Sequence, residues 1–206
     1  MARADWTSAR VYDPVLRGLH WVNALLITAL LASGLVTWFG EAGETSAWLH
    51  EWHGWLGTAL AVSFAARIAW GLSGPGHARL ADRWQPSTWI TSAKSGHLFS
   101  TPERFGHHPT ASLAYLGLYA LLAGLIITGL MLLAIKQGQG PLSHWLGWHV
   151  DYQSLPTLLH EVAAWSVLGF VGLHLAALIL HPLLHRVPVA QAMLTGVQYL
   201  PRKGQE

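Results

Sequence analysis

Residues 158–180 read LLHEVAAWSVLGFVGLHLAALIL. The stretch is apolar and longer than the roughly 20 residues a helix needs to cross a bilayer. It nevertheless carries two histidines, His160 and His174, 14 positions apart. At about 100° per residue, 14 steps fall some 40° short of four full turns, so both imidazoles leave one face, about 21 Å apart along the axis. Between them on that face lie Ala163, Ala164, Val167 and Val171, small enough for a flat ligand to lie close. Two stacked imidazoles facing the interior of a helical bundle imply two haem irons, one towards each membrane surface.

The rest of the chain suits that setting. Hydrophobic residues make up 52% of the 206 and charged residues 11%, against about 25% charged in soluble domains. Mean hydropathy is +0.34. With no cysteine, the chain has no disulfides, no covalent haem attachment motif and no cysteine-ligated iron–sulfur cluster, so any haem is held non-covalently. Twelve tryptophans match two interfacial belts. The pI near 9.2 does not indicate nucleic acid, because the basic residues cluster by membrane side. The first 21 residues are polar for too long to form a secretory signal, and we read the first span as an uncleaved anchor.

These features predict an all-α integral membrane protein, a four-helix bundle forming one domain over residues 1–206. Asp13 and Pro14 open the first span as N-cap and first helical residue, and it runs over about 14–39. The others cover about 49–72, 109–135 and 156–181, with a loop at 73–108 and a tail at 182–206. Pro182 is expected to end or kink the last span. Four spans leave both termini on one side. All Lys and Arg residues except Lys136 fall on that side, in the N-terminus, the 73–108 loop, the tail or the span ends facing them. Positive residues mark the cytoplasmic face, so both termini are cytoplasmic and the protein is multi-pass.

Topology then sorts the histidines by depth. His20 and His174 lie towards the cytoplasmic end of their spans, His53 and His160 towards the outer end. Each leaflet thus has one histidine pair contributed by two helices, and bis-histidine ligation, which leaves no open axial position, favours electron transfer over oxygen binding. A hydrogen-bonded structural role is the alternative for any single histidine within a span. We choose His53 over His50 because Gly54 and Gly57 flank it, placing His50 in the loop. His181 shares the face of His174 but belongs at headgroup level. His77, His97, His107, His108, His144, His149 and His185 read as loop or interface residues. The 14-residue step recurs twice: His20 leads to Gly34, and His53 to Arg67. Gly34 leaves room at the outer level. Arg67 sets a guanidinium at the inner level, where a haem propionate would give it paired acceptors; snorkelling to lipid phosphate is the other reading.

Several stretches resemble the bacterial cytochrome b561 superfamily, in particular the B-type cytochrome subunits of nickel–iron hydrogenases. They are Asp13-Pro14, Arg17 and His20-Trp21; His53, Gly57 and Arg67; Gly106-His107-His108-Pro109, with His108 where the family usually has Asn; Thr128-Gly129-Leu130; His160-Glu161 and His174; and Met193-Leu194-Thr195-Gly196. The resemblance spans nearly the whole chain. It implies a di-haem b cytochrome, the electron-transfer subunit of an oxidoreductase, linking the quinone pool to a redox partner that is a hydrogenase-like enzyme or a c-type cytochrome. His20 and His174 would ligate one haem and His53 and His160 the other, with Arg17, Arg67 and Gly34 in the cofactor-binding set and quinone a further ligand. A superoxide:ubiquinone oxidoreductase in the same superfamily also has His-Glu followed by Gly-Leu-His, and is the alternative within the class.

A histidine-lined transporter is the alternative from another class. Transporters commonly break helices at mid-membrane; here no proline falls mid-span and an apolar middle separates the histidines. The acidic outer residues Glu41, Glu44, Glu51 and Asp151 suit a basic partner, or simply complete the charge asymmetry of the topology.

Overall fold

The computed structural model describes residues 6–40, 44–81, 84, 86–94, 109–185 and 190–201. Glu41 and the Gly106-His107-His108 stretch lie outside them. Four helices dominate: α1 (Pro14–Phe39), α2 (Glu44–Ser73), α4 (Pro109–Gln137) and α6 (Ser154–His185). Each is long and apolar enough to cross a membrane. Only 6% of the apolar stretch of α1, and the same of α6, is buried within protein. Large side chains such as Leu25, Leu173 and Ile179 stand exposed, an arrangement tolerable in lipid and not in water.

Local chemistry sets the helix ends. The Leu16 amide donates to Asp13 Oδ1 at 2.9 Å, the N-cap bond that opens α1. Helix α2 begins at Glu44, earlier than expected, because its polar first turn extends the helix beyond the apolar run. His50, expected in a loop, is therefore helical. Helix α6 continues through Pro182 to His185 instead of stopping there; the missing N–H removes one ladder bond without ending the helix. The connection and tail also hold structure that their composition did not announce: a 3-10 turn at Gly76–Ala78, α3 (Pro86–Lys94), and, between α4 and α6, α5 (Ser143–Leu146). Strand β1 (Trp6–Arg10) pairs antiparallel with β2 (Val197–Pro201), which follows α7 (Ala192–Thr195).

The chain forms two compact units. The first comprises residues 1–18, 67–117 and 172–206. In it the β1–β2 pair joins the ends of the chain, and the Val11 and Tyr12 amides both donate to the Gly196 carbonyl. Gly196 has φ +83°, and a Cβ there would stand 2.6 Å from the Tyr12 carbonyl oxygen, so only glycine fits. Trp70 Nε1 donates to Asp13 Oδ2 at 3.4 Å, and the Leu80 amide to the Gly71 carbonyl at 2.8 Å. The second unit comprises residues 19–66 and 118–171. It holds segments of all four long helices, with Leu60, Leu122, Ala134, Ile135 and Val167 buried between them. Edge-to-face rings tie α2 to α4 through Phe64 and Tyr119, and α1 to α6 through Trp38 and Trp165.

Candidate functional site

Within the second unit, α2 and α6 bring His53 and His160 together, with ring centres 6.3 Å apart and planes crossed at 69°. Both rings are half-buried and line a cavity of about 430 Å³, within the roughly 300–1,000 Å³ usual for small-molecule sites. Its walls are mostly apolar, from Leu30, Leu122, Leu125 and Val167, with small gaps at Gly34, Gly57 and Ala164. Its polar lining includes His50, Lys136, Gln137, Thr157 and Glu161.

Each imidazole is held on its Nδ1 side by a hydroxyl from a neighbouring helix. Ser33 Oγ of α1 lies 2.8 Å from His53 Nδ1, and Thr128 Oγ1 of α4 lies 2.9 Å from His160 Nδ1. All four long helices therefore contribute to one site. Two glycines give the rings clearance: a Cβ on Gly34 would stand 3.7 Å from His53 Cε1, and one on Gly129 3.2 Å from His160 Cε1. Gly34 thus lies beside the pair that sequence spacing assigned to its level. Reading the sequence gave Ser33 and Lys136 no place at the site, and named Thr128 and Gly129 only within the stretch that carries the family resemblance. The available signal was a hydroxyl directly before a glycine within each of two spans, Ser33 before Gly34 and Thr128 before Gly129.

The other expected residues lie elsewhere. His50, one turn before His53 on α2, lines the same cavity. His20 stands on α1 in the second unit, edge-on to Trp21 with ring centres 5.5 Å apart. His174 stands half-buried on α6 in the first unit. Arg67, also in that unit, is 4% exposed and donates from a terminal nitrogen to the Ala78 carbonyl at 3.4 Å, so it is buried and does not snorkel. Arg17 packs against Gly196, where a Cβ would approach its guanidinium to 2.9 Å. Among the described residues no cluster of three or more His, Cys, Asp or Glu side chains is arranged for a bare metal ion. A histidine pair suits instead a metal that brings its own equatorial ligands.

These features define a class: a multi-pass membrane protein whose helices clasp a pair of imidazoles in an apolar cavity. The chain belongs to the prokaryotic cytochrome b561 family, whose model matches residues 11–196. It is similar to the probable Ni/Fe-hydrogenase B-type cytochrome subunit of Rhodobacter capsulatus, 29% identical over 92% of this chain and 81% of that one. The corresponding protein of Bradyrhizobium diazoefficiens is 28% identical over 90% and 84%. A putative cytochrome of Escherichia coli, YdhU, is 32% identical over 60% of this chain and 52% of its own. No solved structure matches. The protein is accordingly a b-type membrane cytochrome of electron transport, multi-pass in a bacterial membrane and embedded in lipid.

Proposed function

We propose that the chain binds two non-covalent b haems and passes electrons between the quinone pool and a redox partner across a bacterial inner membrane, with both termini in the cytoplasm. His53 and His160 hold the haem near the outer surface. His20 and His174 hold the one near the cytoplasm, with Arg67 and Arg17 towards its propionates. The partner we favour is a hydrogenase, because relatives similar over most of this chain are named as probable hydrogenase cytochrome subunits.

The observation that carries this reading is the 6.3 Å separation of the His53 and His160 ring centres. A metal stands about 2.0 Å from a histidine nitrogen. The centre of a five-membered ring with edges of about 1.35 Å lies roughly 1.1 Å behind that nitrogen. Two such halves give about 6.2 Å between ring centres. Crossed planes are compatible, since each ring can turn about its bond to the metal. The glycine-lined apolar cavity beside the pair has walls suited to a flat macrocycle.

When bound, haem supplies a one-electron couple whose potential the protein tunes through ligands, burial and hydrogen bonds. The chain itself positions. Its helices fix the imidazoles, its apolar walls keep water from the iron, and the 14-residue step along α6 sets two ligands about 21 Å apart on one helix. A two-electron donor or acceptor is thereby handled one electron at a time. The test is a pyridine haemochrome assay with a redox titration of purified protein. Two haems per chain with bis-histidine spectra and two separable potentials are expected; one haem, or none, would refute the di-haem reading.

A further inference from the structure

Counting protons around the His53–His160 pair gives more than proximity. A hydroxyl has one proton to donate and lone pairs with which to accept, whereas a carbonyl only accepts. Thr128 Oγ1 lies 2.7 Å from the Gly124 carbonyl, 3.2 Å from the Leu125 carbonyl and 2.9 Å from His160 Nδ1. Its proton points back along α4 to the carbonyls, the usual habit of a threonine inside a helix. The Nδ1 contact must then be filled by a proton on the ring. On α1, Ser33 Oγ donates to the Leu30 carbonyl at 3.0 Å and lies 2.8 Å from His53 Nδ1. The opposite arrangement would put the ring proton on Nε2, for which the described residues supply no hydrogen-bond acceptor. An N–H left so among mostly apolar walls is disfavoured.

We infer that Ser33 and Thr128 are positioning residues that lock both imidazoles as the Nδ1–H tautomer, leaving each Nε2 a bare lone pair for iron. The inference rests on the proposed haem site and deepens it. It divides the labour among the helices: α2 and α6 carry the ligands, while α1 and α4 carry the hydroxyls that set proton and ring angle. A ligand whose Nδ1–H is hydrogen-bonded is also more basic. The lock therefore favours ferric iron and lowers the potential of this haem. Thr128, β-branched and closed on two carbonyls, is the stiffer of the two anchors.

The test starts without haem. In apo-protein labelled with ¹⁵N-histidine in micelles, the ring nitrogen shifts of His53 and His160 report the tautomer, with His53→Gln and His160→Gln variants assigning the signals. Nδ1–H in both rings is expected, giving way to a tautomer mixture in Ser33→Ala for His53 and in Thr128→Val for His160, with recovery in Ser33→Thr and Thr128→Ser. Haem titration followed by the Soret band should then show about 10- to 100-fold weaker binding in Ser33→Ala or Thr128→Val. The potential of the haem that remains should rise by about 59 mV per tenfold loss of ferric preference. A wild-type apo-protein with the proton on Nε2 overturns the lock. So does a pair of variants with unchanged tautomer and unchanged potential. Protein that shows the lock but takes up no haem supports this inference and overturns the functional reading alone.

Discussion

Between the helices of residues 19–66 and 118–171, two imidazoles each meet a hydroxyl from a neighbouring helix. In the other unit the bonded polar side chains include two guanidiniums, a carboxylate and an indole. Arg67 reaches the Ala78 carbonyl, Arg79 Nε the Gly74 carbonyl, and Trp70 the carboxylate of Asp13. Those contacts close a turn and a helix start upon themselves. The hydroxyl–imidazole contacts do not: each uses Nδ1 and leaves the other ring nitrogen available. Polarity in a membrane helix must be satisfied or put to use. In the first unit the bonds of Arg67, Arg79 and Trp70 end on backbone carbonyls and a carboxylate; in the second, on the function proposed, the hydroxyl–imidazole bonds prepare a ligand.

The sharpest way to break that contrast is to remove an imidazole. His160→Ala or His53→Ala should eliminate one of two haems outright, halving the haem-to-protein ratio in a pyridine haemochrome assay. His20→Ala and His174→Ala should eliminate the other haem and leave the spectrum of the His53–His160 haem unchanged. A His160→Ala protein with both haems intact would remove the site from consideration.

The complementary experiment strikes the self-closing unit. Gly196→Ala forces a side chain into a left-handed backbone position, with its Cβ 2.6 Å from the Tyr12 carbonyl oxygen. Strain of this kind is worth about 1–3 kcal/mol. The expected result is a lower Tm by thermal scanning in detergent, with two haems still present in the folded fraction. Haem loss from the His53–His160 site before unfolding would mean that the contrast between units is drawn in the wrong place.

Arg67 tests the boundary between the two strategies. Its bond to Ala78 is structural, but the proposal also gives it a propionate. Arg67→Leu should loosen the Gly76–Ala78 turn and weaken retention of the His20–His174 haem, since a hydrogen bond to a charged group is worth about 1.5–3 kcal/mol. Separate redox titration of the two haems is the measurement. An altered potential at the His20–His174 haem alone supports both roles, and two unchanged potentials leave only the turn.

Much of this was legible before any coordinates. Apolar length gives the four spans because lipid offers no partner for a backbone amide, so span length follows composition directly. Period 3.6 gives the shared face of His160 and His174 for the same reason of regularity. The β1–β2 pair was not legible: two five-residue segments nearly 200 positions apart carry little pattern of their own, and their pairing is decided by where the helices deliver the ends. His50 was misassigned because hydropathy marks where lipid begins, not where the helix does; the polar turn from Glu44 continues α2 outward. Ser33 and Thr128 were hidden for a different cause. A hydroxyl inside a span usually bonds its own helix, and both do. Only the crossing of helices reveals their second contact.

The finest probe compares two glycines within the unit that carries His53 and His160. Each faces the Cε1 edge of a ring, but a Cβ on Gly129 would lie 3.2 Å from His160, and one on Gly34 3.7 Å from His53. The second distance is ordinary carbon–carbon contact, near the optimum for dispersion. The first is a few tenths of an ångström too close, and His160 cannot retreat freely because Thr128 holds its Nδ1 at 2.9 Å. Gly129→Ala should therefore turn the His160 ring, broadening the low-spin EPR signal and weakening haem retention several-fold, while Gly34→Ala leaves both unchanged. Gly34→Leu, which fills the cavity itself, should exclude the haem altogether. If Gly34→Ala proves as damaging as Gly129→Ala, clearance around the ring is not what these glycines provide. Their common role would then be the close approach of α1 and α4 to the helices that carry the ligands.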